Sequence, residues 1–326
     1  MKIVNFNTSY ATQNLGDFII AKAVHEEMSF LFDDSFVFEL STHTPVAPFY
    51  QCHNKNDIMR FCSKSMYKFI DGTNIMKKSL LHFSPALNVN ILNYRPYKNS
   101  ILIGAGMDGD FNIPNLYTRL LYKKILSFDF AHSVRDEKTQ KLLERMGHRV
   151  INTGCPTLWA LNADFCKKIP KKKSENVVFT LTDYRKDIEK DRWLISVLKR
   201  EYKKIYLWLQ GVEDLEYFKK LDDIDGIELV PSNLNAYEGV LNSGNVDYVG
   251  TRLHAGIYAM RHKVRSIILI VDNRARDMKK TYNLPSIERD NIDSLGELIN
   301  SSFSTDVKIN EKKINEWKAQ FKVKDE

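Results

Sequence analysis

The chain has 326 residues and a formal net charge of +7, which is length enough for two domains of ordinary size. No apolar run is long enough to span a bilayer, and no nucleic-acid module is present, so no nucleic-acid partner is expected. The four cysteines, Cys52, Cys62, Cys155 and Cys166, lack Cys-x-x-Cys spacing and a histidine at metal-site spacing. They read as reduced thiols of a cytoplasmic protein, and no metal is expected.

The positive charge suits phosphorylated substrates, or a lipid-linked one at a membrane face. Its one dense run, Lys167-Lys168 with Lys171-Lys172-Lys173, reads as a solvated linker.

Residues 2–8 alternate as a strand and lead directly from the N-terminus, with no signal-peptide core. The turn Asn14-x-Gly16-Asp17 follows, then a helix carrying Ile20, Ala23, Val24 and Met28. Residues 36–40 form a strand, residues 43–64 read as irregular, and residues 67–70 form a strand closed by Asp71-Gly72-Thr73-Asn74. Residues 100–103 are a buried strand closed by Gly104-Ala105-Gly106-Met107-Asp108-Gly109. Small residues there would let backbone approach a ligand. A dinucleotide fingerprint is not read from them, so nicotinamide or flavin binding carries little weight.

Residues 117–126 read as a helix, residues 128–134 as a strand ending in Arg135-Asp136. A helical stripe of Thr139, Leu142, Leu143 and Met146 stops at Gly147. Residues 149–152 are a strand, followed by Gly154-Cys155-Pro156. Composition changes over residues 163–176, and the domain boundary is placed there, giving domains 1–165 and 166–326.

In the second half, strands at 176–181, 205–209, 227–230 and 264–271 alternate with helices at 191–203, 213–221 and 236–241. Their end turns include Thr182-Asp183-Tyr184-Arg185, Gln210-Gly211 and Asp272-Asn273-Arg274. Ile314, Trp317 and Phe321 mark a last helix, expected to pack on the body of the protein. The alternation argues an α/β fold with parallel sheets, two halves facing a cleft. Ligands of such sheets bind beyond the carboxyl ends of the strands.

The most informative stretch is residues 247–260, a strand turning through Gly250-Thr251 into a helix, with Arg252, Leu253 and His254 at the turn. A helix N-terminus favours an anion, and a cation beside an imidazole there makes an acid–base site conceivable. A second reading stands beside it: Arg252 pairs with a local carboxylate and His254 bonds backbone at the helix start.

Taken together, these turns resemble the polysaccharide pyruvyl transferase family. Asn14-Leu15-Gly16-Asp17 is similar to the family's opening turn. Asp71-Gly72-Thr73-Asn74 is similar to its glycine-rich turn, with Asp71 departing from the usual glycine. Gly104-Ala105-Gly106, Arg135-Asp136 and Gly154-Cys155-Pro156 follow in order. Gly250-Thr251-Arg252-Leu253-His254-Ala255 is the most specific match, and Asp272-Asn273-Arg274 completes the series, with Arg274 where the family more often has lysine.

The resemblance implies a GT-B-like fold of two Rossmann-like domains. It implies transfer of pyruvate from phosphoenolpyruvate to two hydroxyls of a sugar, forming a cyclic ketal on a surface polysaccharide (capsule or exopolysaccharide) or its lipid-linked precursor. Arg135 of the first domain and Arg252, Leu253 and Arg274 of the second would bind the donor across the cleft, with His254 as the acid–base residue. Phosphoenolpyruvate is then a co-substrate and no cofactor is needed. The acceptor is a sugar or lipid-linked oligosaccharide, bordered by residues 43–64 and 75–98, and peripheral contact with the inner membrane face is a further expectation. Asn14, Gly16, Asp17, Asp71, Asn74, Gly104, Gly106, Asp272 and Asn273 are candidate cleft turns. Two alternatives stay open: a GT-B-type glycosyltransferase using a nucleotide sugar, and a non-catalytic sugar-binding homologue.

Overall fold

Parallel strands connected through helices organise both halves of the computed structural model, which describes residues 1–54, 56–81, 86–109 and 111–321. Contacts divide the chain into two units. Unit 1 holds residues 1–12, 20–159 and 310–326; unit 2 holds residues 13–19 and 160–309. The chain thus crosses between units four times, and the crossing after residue 159 falls somewhat ahead of the boundary drawn from composition.

In unit 1, β1 (Lys2–Asn7) pairs in parallel with β2 (Phe36–Ser41) and β3 (Tyr67–Asp71), and β3 pairs with β4 (Ile101–Ile103). The order is β2-β1-β3-β4, and β5 (His132–Val134) pairs with β6 (Val150–Asn152). Side chains complete the β4–β5 seam. The Leu102 N–H donates to His132 Nδ1 at 3.1 Å, and the Gly104 N–H donates to Ser133 Oγ at 2.8 Å. The intervening core contains Phe6, Ile70, Leu102, Tyr122 and Leu143.

Helices α1 (Leu15–Glu27) and α2 (Ser29–Phe32) follow β1, with the first turn of α1 grouped in unit 2. Residues 43–64, read from the sequence as irregular, contain α3 (Asp57–Lys64). Its start is fixed by Asn56, whose side chain accepts a hydrogen bond from the Met59 N–H. Asn56 before this apolar-periodic run is the sequence feature that marks the helix start. Helices α4 (Leu116–Ile125) and α5 (Glu137–Arg145) are capped the same way by Asn115 and Asp136. The strand expected over 128–134 forms only from His132, because the Ser127 hydroxyl accepts from the Asp129 and Phe130 N–H groups and turns the chain there. Lys55 and residues 82–85, within the segments expected to border the acceptor, lie outside the described residues.

Unit 2 begins with α6 (Ala163–Cys166) and carries β7 (Asn176–Thr180), β8 (Lys204–Trp208), β9 (Ile227–Val230), β10 (Val246–Gly250), β11 (Ser266–Ile270) and β12 (Ser286–Glu288). All pair in parallel in the order β12-β11-β10-β7-β8-β9. Strand order therefore reverses between β7 and β10, the arrangement of a doubly wound Rossmann sheet. The connecting helices are α7 (Ile188–Glu201), α8 (Asp214–Phe218), α9 (Leu234–Leu241), α10 (Leu253–Arg261), α11 (Asn273–Tyr282) and α12 (Leu295–Asn300). Asp247, at the opening of β10, belongs to a buried structural pair. It accepts from Arg265 Nη1 at 2.8 Å and from the Tyr202 hydroxyl at 3.0 Å.

The last helix, α13 (Glu311–Lys318), packs on unit 1. Trp317 Nε1 donates to the Ala131 carbonyl at 2.8 Å, and Phe321 lies among Tyr67, Phe69 and Phe130.

Candidate functional site

The reversal of strand order in unit 2 leaves β7 and β10 side by side with their following loops diverging. Thr180, the last residue of β7, organises the gap. Its carbonyl accepts from the Thr251 N–H at 3.1 Å, and its hydroxyl accepts from the Arg252 N–H at 3.2 Å. The Tyr248 hydroxyl lies 2.7 Å from that of Thr180 and donates to the Arg252 carbonyl at 2.8 Å. Arg252 is thereby fixed as the residue before α10, with extended backbone. Gly256 lets α10 lie close to β11: a Cβ there would meet the Ile268 and Tyr248 side chains at 2.6 and 2.8 Å.

The Arg252 side chain is 4% exposed. Its Nε donates to the Leu181 carbonyl at 2.9 Å. Its Nη2 donates to Asp183 Oδ1 at 2.8 Å and to Asp214 Oδ1 at 2.5 Å. Of the two sequence readings, the geometry thus contains the local carboxylate pair, and contains it twice. Asp214 is also the N–H acceptor of the β8–α8 loop, taking bonds from Gln210 and Gly211 through Oδ2 and from Asp183 through Oδ1. Burial pushes the Asp214 carboxyl above its usual range, and the Arg252 charge opposes that push.

Tyr184 extends the cluster. Its ring lies under the Arg252 guanidinium at 5.1 Å, and its hydroxyl is 3.5 Å from Arg274 Nη2. Arg274 Nη2 is also 3.6 Å from Asp272, and its buried Nε has no partner among the described residues. Asp272, Asn273 and Arg274 are therefore not a loose strand-end turn. Asp272 caps α11, accepting from the Ala275 N–H at 2.8 Å, and the other two residues lie in the first turn. His254 and Leu253 open α10; both are buried.

The Asn14 turn joins the same network within unit 2. Asn14 Oδ1 accepts from the Gly16 N–H at 3.0 Å and from Gln210 Nε2 at 2.9 Å, and the Leu15 N–H donates to the Gln210 carbonyl at 3.1 Å. Asp17 is buried in the first turn of α1.

In unit 1, the other predicted turns meet beyond β3, β4 and β5. Arg135 Nη2 donates to Asn74 Oδ1, and its Nε is 3.8 Å from Asp136. The glycines there make room for the chain itself. A Cβ on Gly106 would strike the Arg135 guanidinium, one on Gly72 the Gly104 backbone, and one on Gly104 the Pro156 ring. Gly104, Gly106 and Gly109 do have Gly-x-Gly-x-x-Gly spacing, contrary to the sequence reading, yet the next helix starts only at Leu116. Among the described residues, the third glycine does not enter a helix, as the phosphate-binding arrangement requires. Asp71 is not in a turn but ends β3, fully buried, with Oδ2 accepting from Asn5 Nδ2 at 3.2 Å. Among the described residues, no group of His, Cys, Asp and Glu could hold a metal, and no helix is long and apolar enough to cross a membrane.

A family model described as polysaccharide pyruvyl transferase matches residues 14–273. The chain belongs to the polysaccharide pyruvyl transferase family. The match opens at Asn14 and ends at Asn273, so it spans the Arg252 cluster and both sets of turns, with Arg274 one position beyond. No curated protein matches the chain significantly.

Among solved structures, the chain is similar to UDP-GlcNAc 2-epimerase from Methanocaldococcus jannaschii, at 12% identity with 97% of this chain and 98% of that chain covered, TM-score 0.55. The complex of that enzyme with UDP-GlcNAc and UDP gives 13% identity, coverage of 97% and 98%, and TM-score 0.51. E. coli heptosyltransferase WaaC with ADP-2-deoxy-2-fluoro heptose gives 15% identity, coverage of 82% and 88%, and TM-score 0.41. At such identities the two epimerase likenesses speak to the fold alone, which is α/β and GT-B-like.

For a polysaccharide pyruvyl transferase, the sequence reading missed Asp183, Tyr184, Gln210 and Asp214 as members of the Arg252 cluster. Two signals were present. Gln210-Gly211 and Asp183-Tyr184 both stand at strand ends, and Asp214 lies three residues after Gly211, a spacing at which an acidic side chain can reach back to a preceding N–H, as in a capping box.

Proposed function

We propose that this chain transfers pyruvate from phosphoenolpyruvate onto two hydroxyls of a sugar, in a surface polysaccharide or its lipid-linked precursor, forming a cyclic ketal. The family match over residues 14–273 supports this reading most directly. The adjacency of Arg252 and His254 at the start of α10 gives it a chemistry.

In this reading the anionic groups of the donor are held by Arg252 and Arg274, since guanidinium groups bond carboxylate and phosphate oxygens with paired N–H donors. His254, as imidazolium, protonates the methylene carbon of the donor while a sugar hydroxyl bonds to C2. The C2–O bond to phosphate breaks, and the second hydroxyl bonds to C2 and closes the ring. Of the two hydroxyl protons, one restores the His254 imidazolium and the other goes to the departing phosphate. The balance is phosphoenolpyruvate plus a diol giving ketal plus inorganic phosphate.

The test is phosphate release from phosphoenolpyruvate by the full chain with candidate acceptor glycans, for wild type and His254→Gln. Acceptor-dependent release that falls about 100-fold or more in the variant is expected for a general acid–base residue. Wild-type turnover and pH dependence in His254→Gln would remove His254 from the chemistry. Thermal shift by nucleotide sugars and none by phosphoenolpyruvate would favour glycosyl transfer instead.

A further inference from the structure

Arg252 is already bonded in a way that conflicts with holding a dianion. Nη2, which takes part in either paired contact a guanidinium can make, donates to both Asp183 and Asp214, and Nε donates to the Leu181 carbonyl. Two carboxylates around one guanidinium also leave that neighbourhood short of positive charge. An incoming carboxylate or phosphate needs one of these acceptors to leave before it gains a paired contact.

The three acceptors differ in what holds them. The Leu181 carbonyl is main chain, one residue past the end of β7. Asp214 is 1% exposed and takes bonds from the Gln210, Gly211 and Asp183 N–H groups as well as from Arg252. Releasing it would strip acceptors from three backbone donors. Asp183 has a side chain 20% exposed, stands in a short 3-10 turn (Asp183–Arg185), and its carboxylate makes one ion pair, to Arg252, among the described residues. Rotation of its side chain frees Arg252 while the Asp183 N–H stays bonded to Asp214.

We propose that Asp183 is an internal competitor for the donor anion, exchanged for it on Arg252 when the donor binds, while Asp214 remains bonded as the permanent anchor of the guanidinium. This rests on the reading that Arg252 holds the donor. Tyr184 ties the exchange to the second cation. It is the next residue, lies against Arg252, and reaches Arg274 through its hydroxyl. A movement of this turn therefore alters both arginines together. Asp183 sets affinity rather than chemistry, because it must be gone before the reacting atoms are in place.

The test is calorimetric titration of the full-length protein with phosphoenolpyruvate and, separately, with inorganic phosphate, for wild type, Asp183→Asn, Asp183→Ala and Arg252→Gln, with melting temperatures measured for each. Both Asp183 variants should bind phosphoenolpyruvate about two- to tenfold more tightly than wild type, as expected when a competing state is removed. In the transfer assay their KM should fall by a similar factor without a rise in kcat. Arg252→Gln should abolish the difference. If wild type binds phosphoenolpyruvate through Arg252 and the folded Asp183 variants bind it no better, the exchange is overturned and the donor reading stands. If phosphoenolpyruvate binds nowhere but inorganic phosphate binds the Asp183 variants more tightly than wild type, and not after Arg252→Gln, the exchange stands and the donor reading falls. Binding of neither anion by any of the proteins overturns both.

Discussion

Gly211 and Arg252 share one volume: a Cβ on Gly211 would lie 2.5 Å from Arg252 Nη2 and 3.3 Å from Asp214 Oδ1. Ordinarily the end of an arginine side chain would swing away. Here the guanidinium is held on three sides by Leu181, Asp183 and Asp214. Gly211→Ala should therefore displace Arg252 rather than unfold the sheet. The expected outcome is a KM for phosphoenolpyruvate raised about tenfold, with a melting temperature within a few degrees of wild type, in keeping with the cost of a small misplacement in a binding site. Unchanged KM in the folded variant would mean that Arg252 does not set donor affinity.

Asp71 gives unit 1 a pH dependence of definite sign. Burial first, and then the charge of Glu39, push its carboxyl well above the usual range; the Asn5 hydrogen bond and His25 oppose this. Its Oδ1 has no partner among the described residues. The folded protein thus keeps a proton that the unfolded chain loses above about pH 4. The unfolded state binds fewer protons in that window, so stability declines as pH rises through it. Asp71→Asn keeps the shape without the ionisation. Its melting temperature should exceed that of wild type at pH 8, with the gap closing towards pH 4; a gap that widens on acidification would contradict the assignment.

His132 acts in the opposite direction. Its Nδ1 accepts from Leu102 and its Nε2–H donates to the Ser127 carbonyl at 2.9 Å, which fixes the neutral tautomer. Burial, with a smaller contribution from His148, drives its pKa down to about 3. The unfolded chain takes up the proton near pH 6.5, so this contribution is complete above that pH and is lost as pH falls towards 3. It is on the order of a few kcal/mol. Nitrogen chemical shifts of the imidazole should report the Nε2–H tautomer down to about pH 4 in the folded protein. An imidazolium signal in folded protein at pH 5.5 would overturn this account.

The two histidine nitrogens also show why part of the fold escaped the sequence. Residues 128–134 look like a strand by composition, yet the β4–β5 seam is completed by the His132 ring and the Ser133 hydroxyl. No local pattern announces a side chain standing in for a ladder bond. α3 is a different case, since its Asn56 cap was present in the sequence and its short apolar stripe of Ile58, Phe61 and Cys62 was masked by the prolines and cysteine before it.

By itself the sequence determined the alternation of strands and helices and the order of the strand-end turns. It also determined the join of β10 to α10 that brings Arg252 beside His254. Those features are local: hydrophobic period, cap and turn residues act within a few positions of themselves. Tertiary structure decided what Arg252 touches. Asp183 and Asp214 lie 69 and 38 residues away in the chain and reach it only because strand order reverses between β7 and β10. The same reversal turned Gly211 from a turn glycine into the space that Arg252 fills. A guanidinium readable as a waiting anion clamp is, in the fold, one already matched by two carboxylates.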